Sequence, residues 1–342
     1  MIVDCFPDRT IEVDGTEYLY FGGTAYLGLP THKTFQKTLA KSINKWGSFY
    51  GSSRNANIQL SIFEKAEKFF ATQFGTEQTV VTSSGTLAGR LVLEYLSKSE
   101  NTFYHYPKTH PAILASNSIP LFIDGELHSN LVNNRSENIV IVADAVLALE
   151  VEPTSFEFLN EISPQKKITL VIDESHSLGI VGENGKGIFN TIQNKNLTRK
   201  IMVSSLGKAL GLSGGVIASD KECIDSIKKE VLFISSSCAN AGYLEAYLLS
   251  QDLIIKEQHN KLQRNLRVLF ENLKANPIFK FNKNYPVIYC ESENISKELH
   301  KNHIIIANFK YPNYKGLMNR IVITANHTEH DLIKLTTILN QF

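Results

Sequence analysis

The chain has 342 residues, of which 43% are hydrophobic and 20% charged, so it can bury a core large enough for one big domain or two. Lys and Arg together number 35 and Asp and Glu 34, which gives a formal net charge of +1. These values exclude global disorder and provide no basic excess for nucleic acid or an anionic membrane, so we expect a small-molecule partner.

The cysteines and the N-terminus indicate a reducing compartment. Cys5, Cys223, Cys238 and Cys290 form no Cys-x-x-Cys pair, so neither a structural zinc site nor a disulfide framework is indicated. The first fifteen residues carry acids where a signal peptide has a basic start and an apolar stretch. The longest apolar run, 139–149, is interrupted by Asp144 and is too short to span a membrane. We therefore expect a cytoplasmic protein.

Short apolar runs rich in Val and Ile alternate with amphipathic stretches over the first 240 residues. Helical spacing of apolar residues occurs at 35–46 and again at 62–74. Strands are predicted at 79–82, 102–106, 119–123, 138–142, 168–173, 200–204 and 214–218. This alternation predicts an α/β fold with a mostly parallel, seven-stranded sheet flanked by helices.

The pattern changes after about residue 241. One long helix is predicted from Gly242 to about Leu273, followed by strands at 286–291, 303–307 and 320–324 and two helices. We expect this region to form a smaller C-terminal α+β domain joined by the long helix. The predicted division is therefore an N-terminal segment (1–38), a large domain (39–240) and a connecting helix with a small domain (241–342).

The segment 168–187 is the first that carries chemistry, because an apolar strand leads directly into Asp173, His176 and several glycines. In an open α/β sheet the carboxyl ends of the strands face the ligand crevice, so Asp173 and His176 should reach one cavity. An Asp at a strand end is also a common turn former. The run from Gly179 to Lys186 fails as a nucleotide phosphate loop, since the spacing is one residue too long and Gly187 replaces the required Ser or Thr.

The segment 201–219 is the second segment that carries chemistry, because Lys208 lies among small residues between two apolar strands. Such a lysine has the room that a Schiff-base lysine requires, although a solvated loop lysine is the plain alternative. An acid that ends one strand and a lysine that follows the next are the pair that pyridoxal 5'-phosphate (PLP) needs. The carboxylate keeps the ring nitrogen protonated, and the lysine holds the aldehyde as an imine.

Taken in order, the motifs resemble those of the fold-type I PLP-dependent enzymes in the class I/II aminotransferase superfamily, and most of all those of the α-oxoamine synthases. This group includes 8-amino-7-oxononanoate synthase and 2-amino-3-ketobutyrate CoA ligase. The resemblance runs from about Tyr18 to the C-terminus. It rests on Tyr26–Leu29, Gly51–Arg54, Ser83–Thr86, Thr109–Pro111, Asp173–Gly179, Gly185–Gly187, Ser204–Lys208, Gly214–Gly215, and Arg320 ahead of Thr324–His327.

This resemblance implies a role for each matching position. Lys208 would bind the cofactor aldehyde and act as acid and base, Asp173 would pair with the pyridine nitrogen, His176 would approach the ring hydroxyl, and His110 would stack on the ring. Ser84, Gly85 and Thr86 would form a phosphate cup at a helix N-terminus, with Ser205 adding a hydroxyl. Arg320 would bind the substrate carboxylate. The resemblance also implies a homodimer.

Some positions depart from the α-oxoamine synthase pattern. Thr24 and Ala25 replace an Asn-containing pair that helps to position substrate, Ala148 replaces a Ser near the ring hydroxyl, and 124–126 replaces a His-Asn-Asp turn. The expected reaction is the condensation of an amino acid with an acyl thioester. An aminotransferase or an aldolase/lyase of the same fold, and a non-catalytic binding descendant, remain alternatives.

The pairs His300/His303 and His327/His330 have the spacing of metal ligands on a helix but lack a nearby glutamate base. We interpret them as solvated helix ends and expect no metal site.

Overall fold

The computed structural model describes residues 1–292, 294–310 and 317–342. Contacts within the chain define two compact units. The larger unit comprises residues 36–250, and the smaller unit combines residues 1–35 with 251–342.

The strands alternate with helices along most of the chain, as the sequence pattern predicts. The strands are β1 (Thr10–Val13), β2 (Thr16–Phe21), β3 (Gln78–Thr82), β4 (Thr102–His105), β5 (Ile119–Pro120), β6 (Phe122–Ile123), β7 (Glu126–Leu127), β8 (Glu137–Asp144), β9 (Lys166–Asp173), β10 (Leu197–Ser205), β11 (Gly215–Ser219), β12 (Phe279–Phe281), β13 (Val287–Cys290), β14 (Ile304–Phe309) and β15 (Met318–Val322).

Most of the longer helices bury apolar residues against the rest of the chain. The helices are α1 (Lys33–Trp46), α2 (Ser61–Phe74), α3 (Gly85–Leu96), α4 (Ser129–Val132), α5 (Lys221–Ile227), α6 (Val231–Ser235), α7 (Ala241–Ser250), α8 (Lys256–Asn272), α9 (Ile295–Lys301) and α10 (Glu329–Leu339). Within the described ranges, none is both long and apolar enough to cross a bilayer.

The larger unit is built on a seven-stranded sheet in the order β3-β11-β10-β9-β8-β4-β5. The run from β10 to β5 is parallel, and β11 is antiparallel to both of its neighbours. The central strands are buried along almost their whole length, which explains why their sequences are continuous apolar runs rather than alternating ones. The predicted α/β fold with a mostly parallel, seven-stranded sheet is confirmed.

One predicted strand is interrupted. The run 119–123 divides into β5, which ends the large sheet, and β6, which pairs with β7 in a separate hairpin. Pro120 has no backbone N–H and cannot continue the ladder. Asp124 and Gly125 both have positive φ (52° and 86°), as a tight two-residue hairpin turn requires.

The smaller unit has a six-stranded sheet in the order β1-β2-β14-β15-β13-β12. Its first two strands come from the N-terminal segment, for which the sequence analysis proposed no secondary structure. They form a hairpin through Asp14 and Gly15 (φ 50° and 75°), and β2 then pairs parallel with β14. Polar residues interrupt the apolar pattern of both strands, so only the Asp-Gly turn signals them in the sequence.

The long helix predicted from Gly242 to Leu273 is present as three consecutive segments. α7 and α8 are joined by a π-helical turn at Gln251–Ile255, where the boundary between the two units lies. Leu262, Leu266 and Leu269 of α8 are buried, as their spacing predicts.

Candidate active site

Two acids end neighbouring parallel strands in the larger unit. Asp144 is the last residue of β8 and Asp173 the last of β9, and the sheet register pairs them directly. Both are buried, with 4% and 7% of their surface exposed. One Asp173 carboxylate oxygen accepts the Ser175 N–H at 2.8 Å. Asp173 therefore lies at the carboxyl edge of the sheet, where the sequence analysis expected it.

His110 reaches the same edge from the loop after β4. Its backbone N–H donates to Asp144 Oδ2 at 2.8 Å, and its ring Nδ1 accepts the Ala112 N–H at 3.2 Å. The ring proton is therefore on Nε2. Burial lowers the pKa of His110; the Asp173 carboxylate opposes this shift, and the Lys208 ammonium adds to it. His110 is thus neutral near pH 7 and lies within electrostatic range of both groups.

Lys208 lies on a tight loop between β10 and β11. The Leu206 N–H donates to Gly214 O at 3.0 Å, and the Gly211 N–H donates to Lys208 O at 3.2 Å. Burial and the Asp173 charge hold the pKa of Asp144 well above its ordinary value, while the His110 N–H and the Lys208 ammonium act in the opposite direction. The structure therefore brings Lys208, Asp173, His110 and Asp144 together.

His176 is half-buried in the turn that follows Asp173, three residues along the chain. This turn is fixed to the end of β10, because the Ser205 N–H donates to Ser175 Oγ at 2.7 Å. The Ser205 hydroxyl in turn accepts the Gly207 N–H at 3.1 Å. The turn that carries His176 and the loop that carries Lys208 are thus linked through two serines.

The predicted phosphate cup lies at the N-terminus of α3. Ser84 is the N-cap, and its hydroxyl accepts the Leu87 N–H at 3.1 Å. A Cβ on Gly85 would lie 2.7 Å from Ser205 Cα, and one on Gly215 would lie 2.3 Å from Ser84 O. Only glycines permit this approach, which places the start of α3 against the end of β10. A helix N-terminus next to a serine is a suitable cradle for an anion.

The glycines at 185–187 have a structural role. Glu174 is buried and accepts N–H groups from Ile188 at 2.8 Å and Phe189 at 2.6 Å, as well as the Ser177 hydroxyl. A Cβ on Gly187 would lie 2.4 Å from the Glu174 carboxylate. Burial raises the pKa of Glu174 to about 7. This carboxyl group anchors the glycine-rich loop beneath the turn that bears His176.

The motif Gly51–Arg54 is also anchored by a buried pair. Arg54 Nη2 donates to Glu67 Oε1 at 2.8 Å, and the same oxygen accepts the Val81 N–H at 3.1 Å. The Arg54 guanidinium also lies over the Phe63 ring at 4.1 Å. Arg54 therefore joins the segment before α2 to α2 and β3.

Arg320 and Thr24, the predicted substrate-binding residues, belong to the smaller unit. Arg320 lies on β15; its Nη2 donates to Gly23 O at 3.3 Å, and its buried Nε has no hydrogen-bond partner among the described residues. Burial raises the pKa of nearby Tyr26 to about 12, although the Arg320 charge opposes this shift. Thr24 lies in the turn before Tyr26 and is half-buried. A buried guanidinium N–H without an acceptor is suited to bind a carboxylate.

The interpretation of the histidine pairs as solvated helix ends is wrong for His327. This residue is 4% exposed and lies before α10; its ring stacks on Phe21 with centroids 4.0 Å apart. Nδ1 accepts the Thr324 N–H at 3.0 Å, and Nε2 donates to Tyr20 O at 3.0 Å. The residues next to His327 and His330 in the sequence do not indicate that His327 is buried. Across the described part of the chain, no three His, Cys, Asp or Glu side chains form a metal-binding group.

Asp144 is the site residue that the sequence analysis did not identify. In the sequence, Asp144 stands out only as a break in the apolar run 139–149. The sequence did contain one signal for it: Asp144 and Asp173 each lie at or just after the end of a predicted strand, and neighbouring parallel strands bring their last residues to one edge of the sheet. Only the register shows that Asp144 and Asp173 are opposite each other.

These residues fit PLP. The cradle at Ser84–Thr86 suits the phosphate, and the buried Asp173 suits a protonated ring nitrogen. The neutral His110 suits a ring face, and Lys208 is an amine within electrostatic range of it.

Comparisons with known proteins agree with this fit. The family model described as aminotransferase class I and II matches residues 153–339. The 8-amino-7-oxononanoate synthase of Petrotoga mobilis is 27% identical over 350 residues, covering 94% of this chain and 87% of that protein. That of an Azoarcus species is 25% identical over 350 residues, covering 96% and 89%.

Solved structures share the fold. Serine palmitoyltransferase from Sphingomonas wittichii superposes with a TM-score of 0.80 at 14% identity, covering 99% of this chain and 91% of that one. The 8-amino-7-oxononanoate synthase from Francisella tularensis has a TM-score of 0.70 at 22% identity, covering 95% and 97%. The match to more than half of this sequence, together with the site geometry, shows that the chain belongs to the class I and II aminotransferase family of PLP-dependent enzymes.

Proposed function

We propose that this enzyme is an α-oxoamine synthase, which condenses an amino acid with an acyl thioester of coenzyme A or an acyl-carrier protein and releases the carboxylate of the amino acid. The observation that carries the proposal is the meeting of Lys208, Asp173 and His110 at one sheet edge. Support for this particular reaction comes from relatives named 8-amino-7-oxononanoate synthase, which match over nearly their full length.

PLP, when bound, supplies an electron sink for charge at the substrate α-carbon. In our proposal Lys208 binds its aldehyde, Asp173 keeps the ring nitrogen protonated, and His176 contacts the ring hydroxyl. The His110 imidazole covers the ring face. Ser84, Gly85, Thr86 and Ser205 hold the phosphate.

Lys208 has the second task of moving protons. With PLP and the amino acid bound, the Lys208 amine would take the α-proton of the amino acid. The α-carbon then forms a bond to the thioester carbonyl carbon, the C–S bond breaks, and the thiol leaves with a proton. The carboxylate departs as CO₂, and Lys208 returns one proton, drawn from solvent, to the α-carbon.

In this proposal Arg320 and Thr24 recognise the amino-acid substrate. Arg320 binds the α-carboxylate, using the guanidinium N–H that lacks an acceptor. Thr24 takes the place of the substrate-positioning Asn and offers one hydroxyl instead of an amide. Ala148, which lies in the segment after β8, cannot donate to the ring hydroxyl as a Ser would.

The test is a matrix of amino acids against acyl-CoA and acyl-carrier thioesters, with PLP-loaded enzyme and K208A as the control. We expect thiol and CO₂ to be released in equal amounts with at least one pair, and only with the unaltered enzyme. Quantitative conversion of the cofactor to its amine form by an amino acid, without thiol release, would show an aminotransferase instead. No spectral change with any amino acid would indicate a binding protein. The homodimer and the cytoplasmic location remain predictions.

A further inference from the structure

Asp144 is a buried acid at the cofactor site that the family roles given above leave unassigned. It ends β8 directly opposite Asp173 and is 4% exposed. Burying a carboxyl group is costly unless it makes hydrogen bonds that replace those of water. The contacts of Asp144 therefore indicate what it does.

The side chain of Asp144 contacts the backbone of His110. Oδ2 accepts the His110 N–H at 2.8 Å, a bond between residues 34 positions apart in the sequence. Asp144 is itself held in place, because Thr154 Oγ1 donates to its carbonyl oxygen at 2.6 Å. It thus provides a rigid anchor for a loop residue.

His110 is consequently fixed at two points. Asp144 holds its backbone, and the Ala112 N–H holds ring Nδ1 at 3.2 Å. His110 begins a short helical turn at 111–113, and a ring carried on such a loop needs both restraints to keep one orientation.

We propose that Asp144 is a positioning residue that holds the His110 imidazole against the face of the cofactor ring by accepting the His110 backbone N–H. The proposal rests on the placement of PLP given above. It requires a hydrogen-bond acceptor at position 144 but not a negative charge. The groups that face Asp144 are Asp173 on β9, Lys208 on the loop after β10, and His110 itself.

This distinction determines the choice of variants. Asp144→Asn keeps an acceptor oxygen and the shape of the side chain but removes the ionisable group. Asp144→Leu is of similar size and has no acceptor. If the acceptor matters, the two variants differ from each other; if the charge beside Asp173 matters, both differ from the unaltered protein in the same direction.

The measurements are the dissociation constant of PLP and the circular dichroism that the protein induces in the visible band of bound PLP. Neither requires substrate. We expect D144N to stay within about twofold of the unaltered protein, and D144L to bind PLP about tenfold more weakly and lose most of the induced signal. A purely structural role would lower the melting temperature of the apoprotein without this difference in the signal.

A double-mutant cycle with H110A shows whether Asp144 acts through the imidazole. We expect D144L to have no further effect on the induced signal once the ring has been removed by H110A. Additive losses, or equal losses in D144N and D144L, would overturn the proposal. If D144L does not fold, D144A replaces it in the same comparison. An H110A signal identical to that of the unaltered protein would instead show that the PLP placement itself is wrong.

Discussion

Asp144 and Asp173 lie opposite each other in a buried part of the sheet, and two neighbouring carboxylates cannot both be ionised at low cost. The pKa of Asp144 reflects this cost, because burial and the Asp173 charge raise it and the Lys208 ammonium lowers it. In the proposed site, the protonated ring nitrogen of bound PLP would add a positive group beside Asp173.

Arg320 gives a prediction for a single side chain. Arg320→Lys removes the buried Nε and the two-pronged geometry while keeping the charge, so the KM for the amino acid should rise on the order of tenfold to a hundredfold. Steady-state kinetics with the best substrate pair and a PLP titration provide the measurement. The affinity for PLP should not change, and R267K, which alters an exposed arginine of α8, serves as the control. An unchanged KM would remove Arg320 from the substrate site.

Several residues that the structure brings together at the candidate site could be located from the sequence because they lie within short motifs. Asp173 ends a recognisable strand, and Lys208 follows the next one. Asp144 could not be predicted, because its importance comes from the register of β8 against β9 and from a bond to a residue 34 positions away. His327 was misinterpreted for a related reason, since its partners Tyr20 and Phe21 are about 300 residues distant in sequence.

Among the elements, the start of α3 closely approaches the end of β10 and the start of β11, and this approach would shape the proposed phosphate cup. Gly85→Ala would place a methyl group 2.7 Å from Ser205 Cα, so the helix or the strand must move. We expect the PLP dissociation constant to increase at least about tenfold, because the N–H groups at the helix start and the Ser205 hydroxyl would separate.

The matched control for G85A is Gly51→Ala. An added Cβ at position 51 meets nothing within 4 Å, so its PLP affinity should equal that of the unaltered protein. Equal affinities for G85A and G51A, measured by fluorescence titration, would show that this contact does not shape the phosphate site.

The strands also show where a local sequence pattern is sufficient to predict an element. β8, β9 and β10 each contain a run of buried residues that is mostly apolar, as expected for strands covered on both faces, and each was predicted within a few residues. β1 and β2 have mixed, half-exposed sequences, and pairing with β14 rather than intrinsic pattern defines them. Pairing between strands that lie about 300 residues apart in the sequence leaves no signal in local periodicity.

For the molecule as a whole, stability should depend on pH through His327. Burial of the ring lowers the pKa of His327 from 6.5 to about 4, and the hydrogen bond from Nε2 to Tyr20 O opposes this shift. Between these two values the unfolded chain binds more protons than the folded one, so the free energy of unfolding should fall as the pH falls. The loss approaches about 3 kcal/mol near pH 4.

Thermal unfolding of the unaltered protein and of H327Q, at pH 7 and at pH 4.5, checks this prediction. The unaltered protein should lose more stability on acidification than H327Q does. Glu174 acts in the opposite direction, because its pKa is raised to about 7 and its contribution falls as the pH rises from 4.5 to 7. It is present in both proteins, so the difference between them isolates His327. Parallel pH profiles would contradict the prediction.

The central claim is that Lys208 forms the covalent link to PLP at the proposed site that contains Asp173. The most direct measurement is borohydride reduction of the PLP-loaded protein, followed by proteolysis and mass spectrometry of the peptides. We expect the mass of a pyridoxyl phosphate group on Lys208 and on no other lysine, and none on any lysine in K208A. Labelling of another lysine in the unaltered protein, or no labelling at all, would contradict the account.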